Sequence, residues 1–143
     1  LIEDSEVQTE ATIGPFARLR PKTLVGKKVK VGNFVEVKKT ELKEGAKVSH
    51  LSYLGDAEIG EYTNIGCGFI TCNYDGKNKL KTTIGKNSFI GSDCQTIAPI
   101  KIGNECFVAS GSTLNKNLED GDFAISRARQ ETKKGQAKRF IKK

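Results

Sequence analysis

The chain has 143 residues, of which 36% are hydrophobic, and its seven Phe and three Tyr supply enough apolar surface for one folded domain rather than a disordered chain. It contains no apolar run near the roughly 20 residues of a membrane-spanning helix and no secretory signal at its start, so we expect a soluble, cytoplasmic protein. The net charge of +7 arises in a tail, residues 127–143, that carries eight Lys or Arg against one Glu. Because Phe140 is its single aromatic residue, we do not expect the tail to bind nucleic acid.

From Ile13 onward, apolar residues recur every six positions, at Leu19, Val25, Val31 and Val37. The register slips by one residue twice and then resumes, with these later members: Leu42, Val48, Leu54, Ile59, Ile65, Ile84, Ile90, Ile102, Val108 and Leu114, together with the polar Thr71 and Thr96. Gly often follows the apolar residue, and small or β-branched residues stand four positions after it. A period of six fits neither a helix nor an ordinary strand, and indicates stacked coils of short strands and turns.

The sequence therefore predicts an all-β parallel β-helix of hexapeptide repeats, with residues 1–126 as the repeat domain and 127–143 as a basic tail. Residues 72–83 leave the repeat and are polar, so we expect one projecting loop there. The tail favours either a short helix or an irregular cationic arm. Since the chain starts at Leu1 with the repeat already running by Ile13, we also expect an N-terminally truncated piece of a longer protein.

The four cysteines, Cys67, Cys72, Cys94 and Cys106, form no C-x-x-C pair, and the chain has one His. We therefore expect no metal site, neither a zinc site nor the three-His site of a carbonic-anhydrase-like β-helix. Two of the cysteines fall at inward repeat positions, which favours small apolar core residues that stay reduced.

Six stretches are more specific than the repeat: GPFARLRP (14–21), VGNFVEVKK (31–39), HLSYLGDAEIG (50–60), NIGCGFITCNYDG (64–76), IGSDCQTIAPI (90–100) and AISRARQ (124–130). Together they resemble the acetyltransferase domain of the bacterial bifunctional family of glucosamine-1-phosphate acetyltransferases and N-acetylglucosamine-1-phosphate uridyltransferases. The resemblance implies a left-handed β-helix that forms a homotrimer with active sites between subunits. It also implies acetyl transfer from acetyl-CoA to the amine of glucosamine-1-phosphate, a step toward UDP-GlcNAc and cell-wall synthesis. The uridyltransferase domain and the family's first coils are absent from these residues.

His50 is the one candidate for a general base, and His suits proton transfer near neutral pH. A lone His is more often a surface or core residue, but within HLSYLGDAEIG it matches the family's catalytic base.

The substrate-binding positions of the family match Arg20, Lys38, Tyr53, Asn64 and Lys79. Arg and Lys supply fixed positive charge for a sugar phosphate, while Tyr and Asn supply polar contacts to the sugar. Glu36 is expected near the sugar as well. Without the motif, each Lys would be interpreted as a solvated coil edge.

The acetyl-CoA positions of the family match Cys67, Asn73, Tyr74, Ser92, Ser110 and Arg127. Alanine is expected where Cys67 and Ser110 stand, but contacts there run largely through the backbone. A backbone N–H near Cys67 is a candidate oxyanion donor, and we favour direct transfer over a thiol intermediate on Cys67.

Two other interpretations stay open. One is a hexapeptide-repeat acetyltransferase that acts on another amino sugar, a serine or a drug hydroxyl. The other is a catalytically silent trimeric β-helix scaffold.

Overall fold

A computed structural model describes residues 1–141, and in it the chain winds through short parallel strands, numbered β1 to β19 in chain order. The strands stack into three parallel sheets that form the sides of a β-helix of about seven turns. Sheet 1 contains β1 (Ser5–Val7), β4 (Thr23–Val25), β7 (Glu41–Leu42), β10 (Ala57–Ile59), β13 (Thr82–Ile84) and β16 (Ile100–Ile102). Sheet 2 contains β2 (Thr12–Ile13), β5 (Lys30–Asn33), β8 (Lys47–His50), β11 (Asn64–Ile65), β14 (Phe89–Ile90), β17 (Phe107–Val108) and β19 (Phe123–Ala124). Sheet 3 contains β3 (Arg18–Leu19), β6 (Glu36–Lys38), β9 (Tyr53–Gly55), β12 (Ile70–Cys72), β15 (Gln95–Ile97) and β18 (Thr113–Leu114).

The predicted β-helix and its inward residues are confirmed. Every six-residue repeat position from Leu19 to Leu114 named above is buried, and Ile13 is partly buried and packs against the same core. Cys94 and Cys106 are also buried at inward positions, as expected for small core residues. Each coil thus contributes one inward side chain per sheet to a single core along the axis, and these side chains are apolar except for Thr71 and Thr96 on sheet 3. The handedness of the helix stays a prediction.

The two one-residue slips in the repeat correspond to shortened coils. Ile13 pairs with Val31 across a coil of 18 residues, whereas Val31 pairs with Val48 across one of 17. The coil from Ile65 to Ile90 is longer, with 25 residues, because it contains the projecting loop. Parallel pairing continues through all of these coils, so changes of coil length are absorbed at the corners and in the loop.

Glycine is required where the coils approach most closely. A Cβ built on Gly32 would overlap the backbone oxygen of Ser49 in the next coil, so any side chain there would force the coils apart. The corner between sheets 2 and 3 turns through positive φ values, and Phe16 and Phe34 stack there at 5.5 Å between ring centroids. The repeat therefore sets the spacing of the stack as well as its core.

The loop is held by local hydrogen bonds, whereas the tail has little regular secondary structure. The projecting loop is tied down by an antiparallel bridge between Tyr74 and Lys79 and by Asp75, whose carboxylate accepts from the backbone N–H groups of Lys77 and Asn78. The tail is irregular apart from one 3-10 turn, Ala137–Arg139, which favours the arm over the helix. Residues 142–143 of the predicted tail lie outside the described residues, and the division of the chain at 126/127 stays a prediction. None of the helical segments in residues 1–141 is long and apolar enough to cross a membrane.

Candidate functional site

His50 lies in a column of residues that runs parallel to the helix axis at the corner between sheets 2 and 3. The N–H of Leu51 donates to the oxygen of Asn33 at 3.0 Å, and the N–H of Gly68 donates to the oxygen of His50 at 3.4 Å. The same bond repeats in the next coils, where Asp93 donates to Cys67 at 2.7 Å and Gly111 donates to Ser92 at 2.8 Å. Equivalent corner positions of successive coils are therefore stacked, and we call the set Asn33, His50, Cys67, Ser92 and Ser110 the corner column.

Arg127 extends the corner column beyond the last complete coil. Its Nη1 donates to the backbone oxygen of Ser110 at 2.6 Å, and its Cδ lies 3.8 Å from the position that a Cβ on Gly111 would occupy. Four of the predicted acetyl-CoA residues thus follow His50 in line: Cys67, Ser92, Ser110 and Arg127. The sequence motifs predicted that these residues bind the same ligand, and the fold places them along one edge of the β-helix.

The corner column also offers unused backbone donors. The N–H groups of Cys67, Ser92 and Ser110 make no hydrogen bond within residues 1–141, while their neighbours along the coil are paired. His50 is exposed, and within the described residues its imidazole makes no hydrogen bond, since Ser52 Oγ donates to the backbone oxygen of His50 rather than to its ring. A ligand lying along this edge would therefore meet regularly spaced N–H donors beside a free imidazole.

On sheet 3, next to the corner column, cationic and polar side chains share one face. Arg20 donates to Glu36 Oε1 at 2.9 Å, and Glu36 stands beside Tyr53 in the strand register. Lys38 stands beside Gly55 in the same ladder and makes no ion pair within residues 1–141. The structure thus brings together the predicted sugar-phosphate residues Arg20, Lys38 and Tyr53 with Glu36.

Gly55 lies beneath two predicted site residues, Tyr53 and Asn73, whose side chains fill the space that a side chain at position 55 would occupy. A Cβ on Gly55 would overlap the Tyr53 hydroxyl oxygen and would lie 2.6 Å from Asn73 Nδ2. The absence of a side chain at Gly55 is what allows the Tyr53 hydroxyl and the Asn73 amide to lie close together.

Asp56 is a member of this site that the sequence analysis missed. Its side chain is only 7% exposed, and its Oδ2 accepts from Asn73 Nδ2 at 2.7 Å, while its Oδ1 lies 3.3 Å from Lys39 Nζ. A carboxylate this buried requires such partners. The motif contained Asp56, but its partner Asn73 lies 17 residues away at the start of the loop, so spacing alone gave no signal.

The loop carries two further predicted residues, which contact each other. The Lys79 ammonium lies 3.7 Å above the centroid of the Tyr74 ring. This is a cation–π contact, in which the negative face of the ring attracts the ammonium. Lys79 also lines a pocket of about 360 Å³ at the corner between sheets 3 and 1, together with Lys39 and Asp56. Lys79 is therefore near the Asp56 network rather than on the sheet 3 face with Arg20.

An ion-pair cluster fixes the end of the loop. Glu58 accepts from Lys43 at 2.6 Å and from Lys81 at 2.8 Å, and Lys81 is the last residue before β13. The hydrogen bonds from Lys43 and then Lys81 lower the pKa of Glu58 to about 2. In the loop, the backbone N–H groups of Asn78 and Lys77 lower the pKa of Asp75 below its ordinary value. Glu58 thus ties the end of the loop to sheet 1, and Asp75 stabilises the turn within the loop.

Asn64 lies apart from the other predicted substrate residues. It points outward from sheet 2, between Lys47 and Phe89 in the strand register, whereas Arg20, Lys38 and Tyr53 are on sheet 3. One chain therefore does not gather the complete predicted substrate set on a single face. Within residues 1–141 there is also no group of three or more His, Cys, Asp or Glu side chains that could hold a metal ion.

The comparison with protein families gives one match. Residues 81–116 match the bacterial transferase hexapeptide family (six repeats), which agrees with the observed coils.

Curated relatives cover nearly the whole chain. The bifunctional protein GlmU of Staphylococcus epidermidis is 58% identical over 97% of this chain, and that of Pelobacter propionicus is 51% identical over all of it. In both cases the chain spans 31% of the relative's length. The relationship to the bifunctional family expected from the six motifs is therefore confirmed for this part of its length.

Solved structures share the fold at low sequence identity. The acetyltransferase domain of PglB from Neisseria gonorrhoeae has a TM-score of 0.74 at 20% identity, covering 81% of this chain and 54% of that one. A point mutant of AntD, an N-acyltransferase from Bacillus cereus in complex with dTDP-4-amino-4,6-dideoxyglucose and coenzyme A, has a TM-score of 0.72 at 15% identity and covers 87% and 83%. At these identities the likeness supports the β-helix fold alone.

Proposed function

We propose that this chain, a relative of the bifunctional protein GlmU, transfers an acetyl group from acetyl-CoA to the amine of glucosamine-1-phosphate. The observation that carries the proposal is the corner column, in which His50 is stacked in line with Cys67, Ser92 and Ser110, beside the cationic face of sheet 3. The high identity to GlmU over the whole chain supports this choice of reaction and substrate. The product, N-acetylglucosamine-1-phosphate, would serve UDP-GlcNAc synthesis.

Acetyl-CoA would lie along the corner column. Three coil steps separate His50 from Ser110, which corresponds to about 14 Å at the usual spacing of neighbouring strands. The extended pantetheine arm of acetyl-CoA carries amide and thioester carbonyl oxygens along its length. The free N–H groups of Cys67, Ser92 and Ser110 would donate hydrogen bonds to these oxygens. Arg127, at the far end, would bind a coenzyme phosphate, and Asn73 and Tyr74 would contact the thioester end.

The sugar phosphate would bind on sheet 3. Lys38, which makes no ion pair within residues 1–141, and Arg20, whose partner is Glu36, would hold the phosphate. The hydroxyl of Tyr53 would contact the sugar. Asn64 and Lys79 would complete the site from a neighbouring subunit, since they do not lie on this face of their own chain.

Acetyl transfer requires the amine to lose a proton as it attacks. The amine nitrogen forms a bond to the thioester carbonyl carbon, His50 accepts the proton, and the developing oxyanion is stabilised by the N–H of Cys67. The C–S bond then breaks, the amide forms, and the proton returns from the imidazole to the coenzyme thiolate. The step is a direct transfer, with no acyl group on Cys67 and no metal ion.

Release of the coenzyme thiol, measured with acetyl-CoA and glucosamine-1-phosphate, tests the proposal. We expect His50→Ala to lower kcat by about 10²–10⁴-fold while the KM for the sugar phosphate changes little, because the phosphate contacts remain. His50→Ala should elute and melt like the wild type. Near wild-type turnover in the folded variant would contradict a catalytic role for His50.

The same assay separates the two alternative functions. If thiol release is faster with a different amino sugar, that sugar rather than glucosamine-1-phosphate is the substrate. No thiol release with any amine or hydroxyl acceptor, from a folded oligomer, would favour a scaffold. We further propose that the active form is a homotrimer in the cytoplasm, with acetyl-CoA and the sugar phosphate as its small-molecule partners.

A further inference from the structure

The buried carboxylate of Asp56 determines how the Asn73 amide is oriented. An ionised carboxylate only accepts hydrogen bonds, so the group that faces Asp56 Oδ2 at 2.7 Å must be the Nδ2 of Asn73. The Oδ1 of Asn73 consequently faces away from Asp56. The ammonium of Lys39, 3.3 Å from Asp56 Oδ1, balances the charge of the carboxylate.

The amide oxygen of Asn73 is available to a ligand. It makes no hydrogen bond within residues 1–141, yet no side-chain nitrogen or oxygen of these residues is sealed from solvent without a partner. The Oδ1 of Asn73 must therefore reach solvent, although the residue as a whole is 6% exposed. A buried amide with one free acceptor at the surface is a fixed, directional group.

We propose that Asp56 is a positioning residue that holds the oxygen of Asn73 outward as an acceptor for an N–H group of the bound ligands. The inference rests on the proposed acetyl transfer, in which N–H groups of two kinds occur: those of the sugar amine and those of the two amides in the coenzyme's pantetheine arm. Gly55 supports the arrangement, because a Cβ there would displace both the Asn73 amide and the Tyr53 hydroxyl. Asp56 itself contacts no reacting atom.

Asp56→Asn is the informative substitution. Asp56 has φ near 49°, a left-handed conformation that Asn tolerates as well as Asp, so the backbone should be unchanged. A neutral amide at position 56 can accept or donate, so Asn73 becomes free to turn its Nδ2 outward. We expect kcat/KM to fall by about 10- to 100-fold, the range for a charge-assisted hydrogen bond.

A double-mutant cycle with Asn73→Ala separates positioning from a structural role. In the Asn73→Ala background, Asp56→Asn should change kcat/KM by less than about 2-fold, because the group through which Asp56 acts is already absent. Equal losses in both backgrounds would overturn the proposal. Glu44→Gln serves as the matched control, since it also removes a carboxylate with two partners, Lys28 and Tyr62, but lies away from the loop and should leave kcat/KM near the wild-type value.

The kinetic constants identify which N–H group Asn73 accepts. A higher KM for acetyl-CoA in Asp56→Asn would assign the pantetheine amide, whereas a lower kcat with both KM values unchanged would assign the attacking amine. No change in any constant would contradict the proposal.

Nuclear magnetic resonance tests the Asp56–Asn73 link independently of activity. The side-chain NH₂ signal of Asn73 should be shifted downfield and protected from exchange in the wild type, and should lose both properties in Asp56→Asn. An unaltered signal would refute the link even if the enzyme is active. A wild type with this signal but without thiol release would refute acetyl transfer instead.

Discussion

At the scale of single residues, neighbours of the same type have different surroundings. Lys38 makes no ion pair within residues 1–141, whereas Lys39 lies beside the buried carboxylate of Asp56. Arg20 is paired with Glu36, so a phosphate must compete with that carboxylate for its guanidinium. In the sequence, Lys38 and Lys39 are simply adjacent lysines, and Arg20 is one more basic residue of the repeat. In the fold, Arg20 and Lys39 each have a carboxylate partner, whereas Lys38 has none within residues 1–141.

Arg127 carries a prediction at this scale. Because it donates to Ser110 at the end of the corner column, Arg127→Ala should raise the KM for acetyl-CoA by about 10-fold and leave that for glucosamine-1-phosphate nearly unchanged. Steady-state kinetics with each substrate varied in turn would measure both constants. Arg129→Ala, two residues further along the basic tail, is the matched control and should change neither. A rise in the sugar-phosphate constant alone would assign Arg127 to the site of Arg20 and Lys38.

Candidate site residues could be predicted from the sequence where they belong to one short motif. Residues whose role depends on a partner in another coil were missed. HLSYLGDAEIG pointed to His50 and Tyr53 because their spacing is short and characteristic. Asp56 is in the same stretch, but its role depends on Asn73, which reaches it only after a complete coil. The split between Asn64 and Lys38 was likewise not visible, since it depends on which sheet each position joins.

At the scale of elements, the six-residue period determined most of the architecture. It identified the inward residues, because each coil buries one side chain per sheet, apolar in nearly every case, and it located the loop as the stretch where the period stops. It did not determine handedness, since an inward residue every sixth position is compatible with either hand. It also left the tail undecided between helix and arm, because outside the coils no packing selects one conformation.

The Glu58 cluster, which joins sheet 1 to the end of the loop, predicts a pH dependence of stability. Its folded pKa of about 2 lies below the ordinary 4.5, so its contribution is fully present above about pH 5 and is lost as the pH falls through 2. We expect Glu58→Gln to lower the free energy of unfolding by about 1 kcal/mol at pH 6, because solvent screens partly exposed pairs. The difference from wild type should shrink toward pH 2.

Urea unfolding at pH 6, 4 and 3, at one protein concentration, would measure this difference. Other carboxylates titrate in both proteins, so the difference between the two isolates Glu58. Lys43→Met, which removes the partner with the largest effect on Glu58, should weaken the same pH dependence. A difference that is constant from pH 6 to pH 3 would show that the ion pairs do not persist in solution.

At the scale of the whole molecule, the outer surfaces of the sheets are unlike one another. Sheet 3 is cationic and polar near Arg20 and Lys38, whereas the outer face of sheet 2 carries a ladder of Phe89, Phe107 and Phe123. The rings stack at 5.0 and 5.8 Å and are 43% to 64% exposed. Asn64 stands in the same register column, directly beside Phe89. An exposed apolar ladder in line with a separated site residue favours a surface that another copy of the chain covers.

The last prediction concerns the assembly. If neighbouring subunits cover the ladder and bring Asn64 to the sheet 3 face of the next chain, light scattering should give about three times the chain mass of 15.6 kDa. Phe107→Asn places a polar group in the middle of the ladder and should shift the mass toward the monomer and reduce thiol release, with the loss partly recovered at higher protein concentration. Tyr62→Asn is the matched control, because it truncates a ring that is also exposed, 59% against 47% for Phe107, but lies away from the ladder, so it should preserve the oligomer. A wild-type species of 15.6 kDa that retains full activity would contradict a shared site, and Asn64 would then have no role in binding the sugar phosphate.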